Sequence, residues 1–256
     1  MTSPKLIALY TLLHREVGRM FRIWKQVFLP PVITQGLYFV VFGSFIGSQL
    51  APVKGISYMA FIVPGIIMMS VITSSYTNVV FSFFATKFQR SVEEMLVSPM
   101  SFRVLLAGYT LSGVARAFFT GFMVFLISLF FTRHGLAHPL IILIFAFLTA
   151  LVFSLGGFLN AMFAKSFDDA GTFATFVLTP LTYLGGVFYS VDMLPPFFRT
   201  LSHFNPMVYM VDGIRYGFYG VHDTNLWLGA GFLTIVAAIL TGINMHLLNK
   251  GTGLRA

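Results

Sequence analysis

Cysteine is absent from these 256 residues, which excludes a disulfide framework, Cys-ligated zinc and a thiol nucleophile. Charge is scarce: 9% of residues carry one, against roughly 25% in an ordinary soluble domain. The balance is basic, 16 Lys and Arg against 8 Asp and Glu, and with so few charges that excess reads as membrane topology, not as a nucleic-acid patch. Short motifs for chemistry are missing as well. No G-x-x-x-x-G-K-[ST] is present to cradle a nucleotide phosphate, so any energy source lies outside this chain. No serine sits in a G-x-S-x-G, and His246 is the one histidine placed in an apolar run, a thin basis for intramembrane hydrolysis. His134 and His138 share i,i+4 spacing but lack the adjacent Glu of a zinc protease. No catalytic, cofactor-binding or metal-ligating residue is assigned in this chain.

What abounds is apolar: 57% of residues are hydrophobic and 31 are Phe. They gather into blocks at 27–50, 58–84, 104–131, 139–163, 170–190 and 225–247, on the scale of the roughly 20 helical residues that cross a hydrocarbon layer of about 30 Å. In lipid each backbone donor and acceptor must be satisfied within the segment, which leaves helices or a closed barrel. Barrel strands alternate polar and apolar residues, and these blocks do not. The fold class expected is therefore an all-α polytopic membrane protein, six transmembrane helices in one domain over residues 1–256. An even number of spans puts both termini on one side. Eleven of the Lys and Arg flank that side, whereas Lys54, Arg133, Arg199 and Arg215 flank the other, so the positive-inside rule places the termini in the cytoplasm. Arg116 falls a turn or so inside the third span, where its head can snorkel to the interface.

Three polar pieces interrupt this pattern. In residues 4–25, Leu6, Leu9, Tyr10, Leu13, Val17, Met20, Phe21 and Trp24 recur at steps of three and four, with Arg15, Arg19 and Arg22 opposite. That describes an amphipathic helix at the membrane interface. Between the second and third spans lies FQRSVEEMLVSPMS, residues 88–101. Phe88, Val92, Met95 and Leu96 form an apolar stripe, Arg90 precedes Glu93 by three residues and Glu94 by four, and Pro99 ends the helix. Such a helix either lies on the membrane or docks in a groove of a soluble partner. Anionic headgroups would repel its two glutamates, which a basic protein groove would suit. The third piece, residues 191–224, is too broken by Pro195, Pro196 and the Asn205-Pro206 pair to span, yet too aromatic for a solvated loop. It fits two short helices dipping into the outer leaflet. The eight acids complete the census. Glu16, Glu93, Glu94, Asp168 and Asp169 lie on the cytoplasmic side and Asp192, Asp212 and Asp223 on the other. None falls at the middle of a span, which argues against an ion-coupled carrier.

The order of these pieces, and above all TPLTYLGGVFYSVDMLPPFFRTLSHFNPMVYMVDGIRYGFYG at 179–220 with its PLTYLGGVFY, LPP and NPMVY elements, resembles the ABC-2 family of ABC-exporter permeases. That resemblance implies a bacterial cytoplasmic-membrane exporter in which two copies of this chain form a pore and two separate ATPase subunits, carrying ATP and magnesium, dock beneath it. The chain itself would need no cofactor, and its remaining partner would be membrane lipid. The family's coupling helix maps onto 88–98, with Phe88, Arg90, Val92, Glu93, Glu94, Met95 and Leu96 facing the ATPase. Its connecting helix maps onto 4–25, including Arg15, Arg19 and Arg22. An outer lid maps onto 191–224, with Val187, Phe188 and Tyr189 just before it and Pro195, Pro196, Asn205, Pro206 and Tyr209 within it. Members of the family export drugs, polysaccharides, lipid-linked glycans and other amphipathic cargo. The rival readings are an ATP-independent scaffold or insertase-like protein and an intramembrane hydrolase.

Overall fold

The computed structural model describes residues 4–92, 95, 100–133, 135–202 and 204–253, and among them the sole extended pairing is an isolated bridge between Val53 and Ile56. Everything else regular is helical. Helices α1 (Pro4–Arg22) and α2 (Trp24–Tyr38) are separated by a break at Ile23, and α2 passes into a wider helical run, Phe39–Ile46, and a tight turn, Gly47–Gln49. Three long helices follow, α3 (Tyr58–Phe88), α4 (Phe102–Ser128) and α5 (Pro139–Phe163). Next come α6 (Phe167–Phe173), a wider run at Ala174–Leu178, and α7 (Thr179–Tyr183). Short helices α8 (Pro196–Ser202) and α9 (Pro206–Tyr219) precede the final α10 (Leu226–Lys250). Several starts are set by local caps: the Ser57 hydroxyl accepts from the Ala60 N–H, the Ser166 hydroxyl from Asp169, and Asn225 from both Trp227 and Leu228.

Among the described residues, five helical stretches are long and apolar enough to cross a membrane: Trp24–Gln49, α3, α4, α5 and α10. The block expected at 170–190 takes a different form. Its helical run begins at Phe167 and stops at Tyr183, because Gly186 adopts a left-handed backbone (φ 74°) and its carbonyl is held by Arg215 Nη2 at 2.7 Å. That leaves the run short of the roughly 20 residues of a full span.

Helix α3 is the axis of the bundle: 89% of its most apolar window is buried, against 17% in Trp24–Gln49 and 17% in α10. Its neighbours reach it through glycines. A Cβ on Gly157 of α5 would stand 2.7 Å from the Tyr76 carbonyl oxygen, and one on Gly113 of α4 would stand 3.0 Å from that of Ser75. Some of the polar groups this burial strands are satisfied locally: Ser70 and Ser75 donate to the carbonyls of Ile67 and Val71 one turn back, at 2.7 and 2.8 Å.

The N-terminal helix does not present the faces expected of it. Leu6, Tyr10, Phe21 and Trp24 are exposed, while the buried face is Leu12, Glu16 and Met20. Contacts climb α1 and α4 together, Leu12 against Gly108 and the Phe21 ring 5.2 Å from Phe119. They continue through Gly36 beside Ile127 to Phe39 and Phe131, 5.6 Å apart. Helices α1 and α2 thus follow α4 in the same direction. The residue that overrides the apolar stripe is Glu16, a buried acid that must stay beside donors.

The end of the bundle holding Pro4 and Gly253 is the basal end, and the other is the distal end. The α3–α5 contact yields a paired expectation. Gly156, whose Cβ would meet nothing within 4 Å, should accept alanine with no loss of stability or a small gain from helix propensity. Gly157→Ala should cost about 1–3 kcal/mol through overpacking, seen as a lower unfolding midpoint in detergent. Equal midpoints for the two variants would contradict the packing described.

Candidate functional site

At the basal end, the single acid of α1 gathers donors from α1 itself and from α3, and one of those donors also reaches α4. Arg15 Nη2 reaches Glu16 Oε1 at 3.0 Å, Arg19 Nη2 reaches Oε2 at 2.8 Å, and the Ser82 hydroxyl of α3 donates to Oε2 as well. Arg15 also donates to the Tyr109 hydroxyl of α4 at 3.0 Å, which shares a hydrogen bond of 2.9 Å with Thr86 of α3. Glu16 is only 3% exposed, whereas the arginines keep much of their length in the open. Arg15 and Arg19 therefore turn inward to a carboxylate, where headgroup contacts were expected, and of the three expected arginines Arg22 alone stays exposed without an ion pair. Nearby, the buried Lys87 Nζ donates to the Met162 and Ala164 carbonyls, both at 2.9 Å. These lie at the C-terminus of α5, where carbonyls lack helical donors and a cation suits the dipole.

The expected coupling stretch starts later than its pattern implies. Helical bonding runs on through Gln89, whose N–H donates to the Ala85 carbonyl, and Arg90 breaks it with φ 58°. Phe88 consequently belongs to the end of α3, its ring packed on Phe84 and Phe167. Helix resumes at Ser91, with Val92 buried and Met95 half-buried. Glu93, Glu94 and Leu96 lie outside the described residues.

At the distal end a second acid plays the part of Glu16. Asp223 is paired with Lys54, accepts from the Ser190 hydroxyl at 2.9 Å and the Val191 N–H at 3.3 Å, and has Arg215 Nη1 at 3.9 Å. The Arg215 guanidinium also stacks over Phe61, 3.8 Å from the ring centre. Asp212, on the same helix as Arg215, accepts from the Asp223 and Thr224 N–H groups at 2.7 Å each. Lys54 further bonds Asp192 at 3.2 Å, and Asp192 pairs with Arg199 of α8. Burial disfavours the charged form of Asp223, but the bonds from Lys54 and Ser190 and the charge of Arg215 outweigh it and hold the carboxyl below its ordinary range. Burial likewise opposes the charge on Lys54, and Asp223 and Asp192 overcome it, raising the amine above its usual value.

This clasp divides the expected lid in two. Helix α9 is no surface cover: Met207, Met210, Val211, Ile214 and Arg215 are buried and it packs on α3, α5 and α10. Helix α8 and its flanks are exposed, with Phe197 at 73%, Phe204 at 79%, and Pro195 and Pro196 open. Asn205 is buried, accepting from the Met207 N–H and donating to the Leu181 carbonyl. Pro206 and Tyr209 are half-buried. Val187 is fully buried, its backbone against Gly65, so it offers no surface to a labelling reagent. Phe188 and Tyr189 are half-buried, Phe188 lying 4.6 Å from Phe42. Sequence reasoning passed over Ser82, Tyr109 and the link between Lys54 and Asp223. The available signal was a lone glutamate one residue from one arginine and three from another on a helix otherwise without acids.

A family model described as ABC-2 type transporter matches residues 7–219. The chain is 51% identical to the inner membrane transport permease YadH of Escherichia coli K12, over 98% of both chains. It is 27% identical to nodulation protein J of Neorhizobium galegae over 88% of each, and 26% identical to that of Rhizobium leguminosarum bv. viciae over 91% of this chain and 92% of the relative.

Two outcomes follow from the clasps. A double-mutant cycle with Glu16→Gln and Arg19→Gln should show coupling of about 1.5–3 kcal/mol, the range for a hydrogen bond to a charged group, and additive effects would contradict the geometry. Asp223, held low, contributes stability that is present above the ordinary carboxylate value near about 3.9 and lost as pH falls through its depressed value. Lys54, held high, contributes below about 10.4, and that part is lost as pH rises through its raised value. Asp223→Asn should accordingly flatten the acid limb of the unfolding midpoint plotted against pH.

Proposed function

The chain belongs to the ABC-2 type transporter family, and from this we propose that it is the membrane-spanning permease subunit of an ATP-driven exporter. Two copies form the export path, and two separate ATPase subunits bind the basal end. The observation that carries this reading is the Glu16 network, which ties the N-terminal helix to α3 and α4 at the end where α3 gives way at Arg90 and α4 begins at Phe102. A load applied there reaches α3, the element on which α4, α5 and α9 pack. The basic excess at the basal end supports a cytoplasmic location for it. The similarity to an inner membrane permease supports the bacterial inner membrane as its site.

Arg90, Glu93 and Glu94 engage the ATPase in this account, since acids on a short cytoplasmic helix suit a basic protein groove better than anionic lipid. The cargo is an amphipathic molecule, lipid-like, drug-like or glycan-bearing, taken from the cytoplasm or the inner leaflet. Movement at the distal end is assigned to α8 and its flanking loops, which are exposed and tied down chiefly by Asp192, while α9 moves with the bundle.

The purified chain should hydrolyse no ATP, lacking a phosphate-binding loop, and should acquire hydrolysis only with its partner subunit. Reversing Glu93 and Glu94 to Lys should weaken copurification of that partner by a few kcal/mol. Hydrolysis by the chain alone, or copurification unchanged by the reversal, would count against the assignment. A partner that never copurifies with the native chain would favour the scaffold reading.

A further inference from the structure

Arg116 does not lie near the end of its span. Helix α4 begins at Phe102, so at 1.5 Å per residue Arg116 stands about 20 Å along a helix of roughly 40 Å, halfway through a membrane-spanning segment. Among the described residues none accepts a hydrogen bond from it or forms an ion pair with it, and its Nε is buried without a partner. An ionisable group at such a depth is costly and is kept beside a partner or a ligand.

Its surroundings show what is missing. Arg116 lines a cavity of about 380 Å³ with Arg19, Gln26, Asn78, Ser82 and the two prolines of α2. The Arg19 Nε is also buried and without a partner. Among the described residues no carboxylate lines the cavity, and the nearby Glu16 that pairs with Arg19 already has both oxygens engaged by Arg15, Arg19 and Ser82. Two guanidinium groups thus face one cavity whose lining offers no acid to Arg116. Apolar residues line the same cavity, among them the exposed Ile23 and Phe81. Guanidinium groups beside such an apolar lining are complementary to a molecule with an anionic head and hydrocarbon behind it. Guanidinium groups favour the oxyanions of phosphate, which they can grip with two parallel hydrogen bonds.

We propose that the cavity between α1, α2, α3 and α4 is a binding site for the phosphate headgroup of an anionic amphiphile, with Arg116 and Arg19 as its ligands. The inference stands on the cavity and its charge and does not depend on the export reading. Arg116 is the specific residue, because Arg19 also serves Glu16.

The test uses detergent-purified full-length chain, dioctanoyl phosphatidylglycerol as the probe, and inorganic phosphate and a nonionic glucoside of similar chain length as controls. Phosphatidylglycerol should raise the unfolding midpoint of the wild-type chain and bind saturably. Arg116→Gln should weaken that binding at least about tenfold. Without lipid the same variant should be as stable as the wild type or more so, since it removes an unpaired cation from an apolar span. A merely structural arginine predicts the reverse, a destabilised variant in which lipid response persists. Arg116→Lys, which keeps the charge and loses the two-pronged grip, should fall between them. Equal phosphatidylglycerol binding by wild type and Arg116→Gln would overturn the site. Saturation by inorganic phosphate at the same concentration would overturn its assignment to an amphiphile, as would equal stabilisation by the glucoside.

Discussion

The close contact of α3 with α4 and α5 is the constraint on which the rest of the bundle depends. A helix buried on nearly every side must offer its neighbours small residues and keep its polar groups bonded to itself. Here Gly113 of α4 and Gly157 of α5 admit the backbone of α3, and Ser70 and Ser75 of α3 bond back to their own helix. Packing at that distance leaves little room for sliding, so α3 and its partners behave as one body. Lys87, bonded to the last carbonyls of α5, fixes the basal end of the same pair.

Each end of that body is closed by one desolvated carboxylate. Glu16 at the base and Asp223 at the distal end both accept from a hydroxyl and from cationic side chains, and each joins segments far apart in sequence. Burying such an acid is costly unless its donors are all in place, so each cluster is formed as a whole or not at all. That all-or-none character suits a device that passes between discrete arrangements, because coupling over tens of ångströms needs elements with two states. The two clusters differ in their supports. Glu16 draws on α1, α3 and α4, whereas Asp223 draws on loops and on Arg215 of α9, itself braced on Phe61 of α3.

The helical class and the long apolar stretches were legible because hydrophobic length is a strong, local signal, and the matches at α3, α4, α5 and α10 rest on it. The ends of those helices were less so. Phe88 reads as the first apolar residue of a new helix, yet the true break needs the left-handed turn at Arg90, which no periodicity reveals. The stretch up to Tyr189 is apolar, but Gly186 and the reach of Arg215 from 29 residues away turn it out of the helix. Helix α1 misled for a related reason. Its apolar stripe and its arginines have the composition of an interfacial helix, but the buried face follows Glu16, whose donor Ser82, like the Tyr109 that accepts from Arg15, is brought to it only by folding. The aromatics of 191–224 likewise suggested one cover, where α9 is core and α8 is surface.

The central claim is that the Glu16 network and the distal loops are linked through α3. Because the chain has no native cysteine, single spin labels can be placed at the exposed Tyr10 of α1 or the exposed Phe197 of α8, and distances read between the two copies proposed for the complex with an ATPase subunit. Trapping ATP should shift both distances in the wild-type chain, and in Glu16→Gln it should leave the Phe197 distance unmoved while the ATPase still binds. A Phe197 shift of equal size in Glu16→Gln would contradict the link.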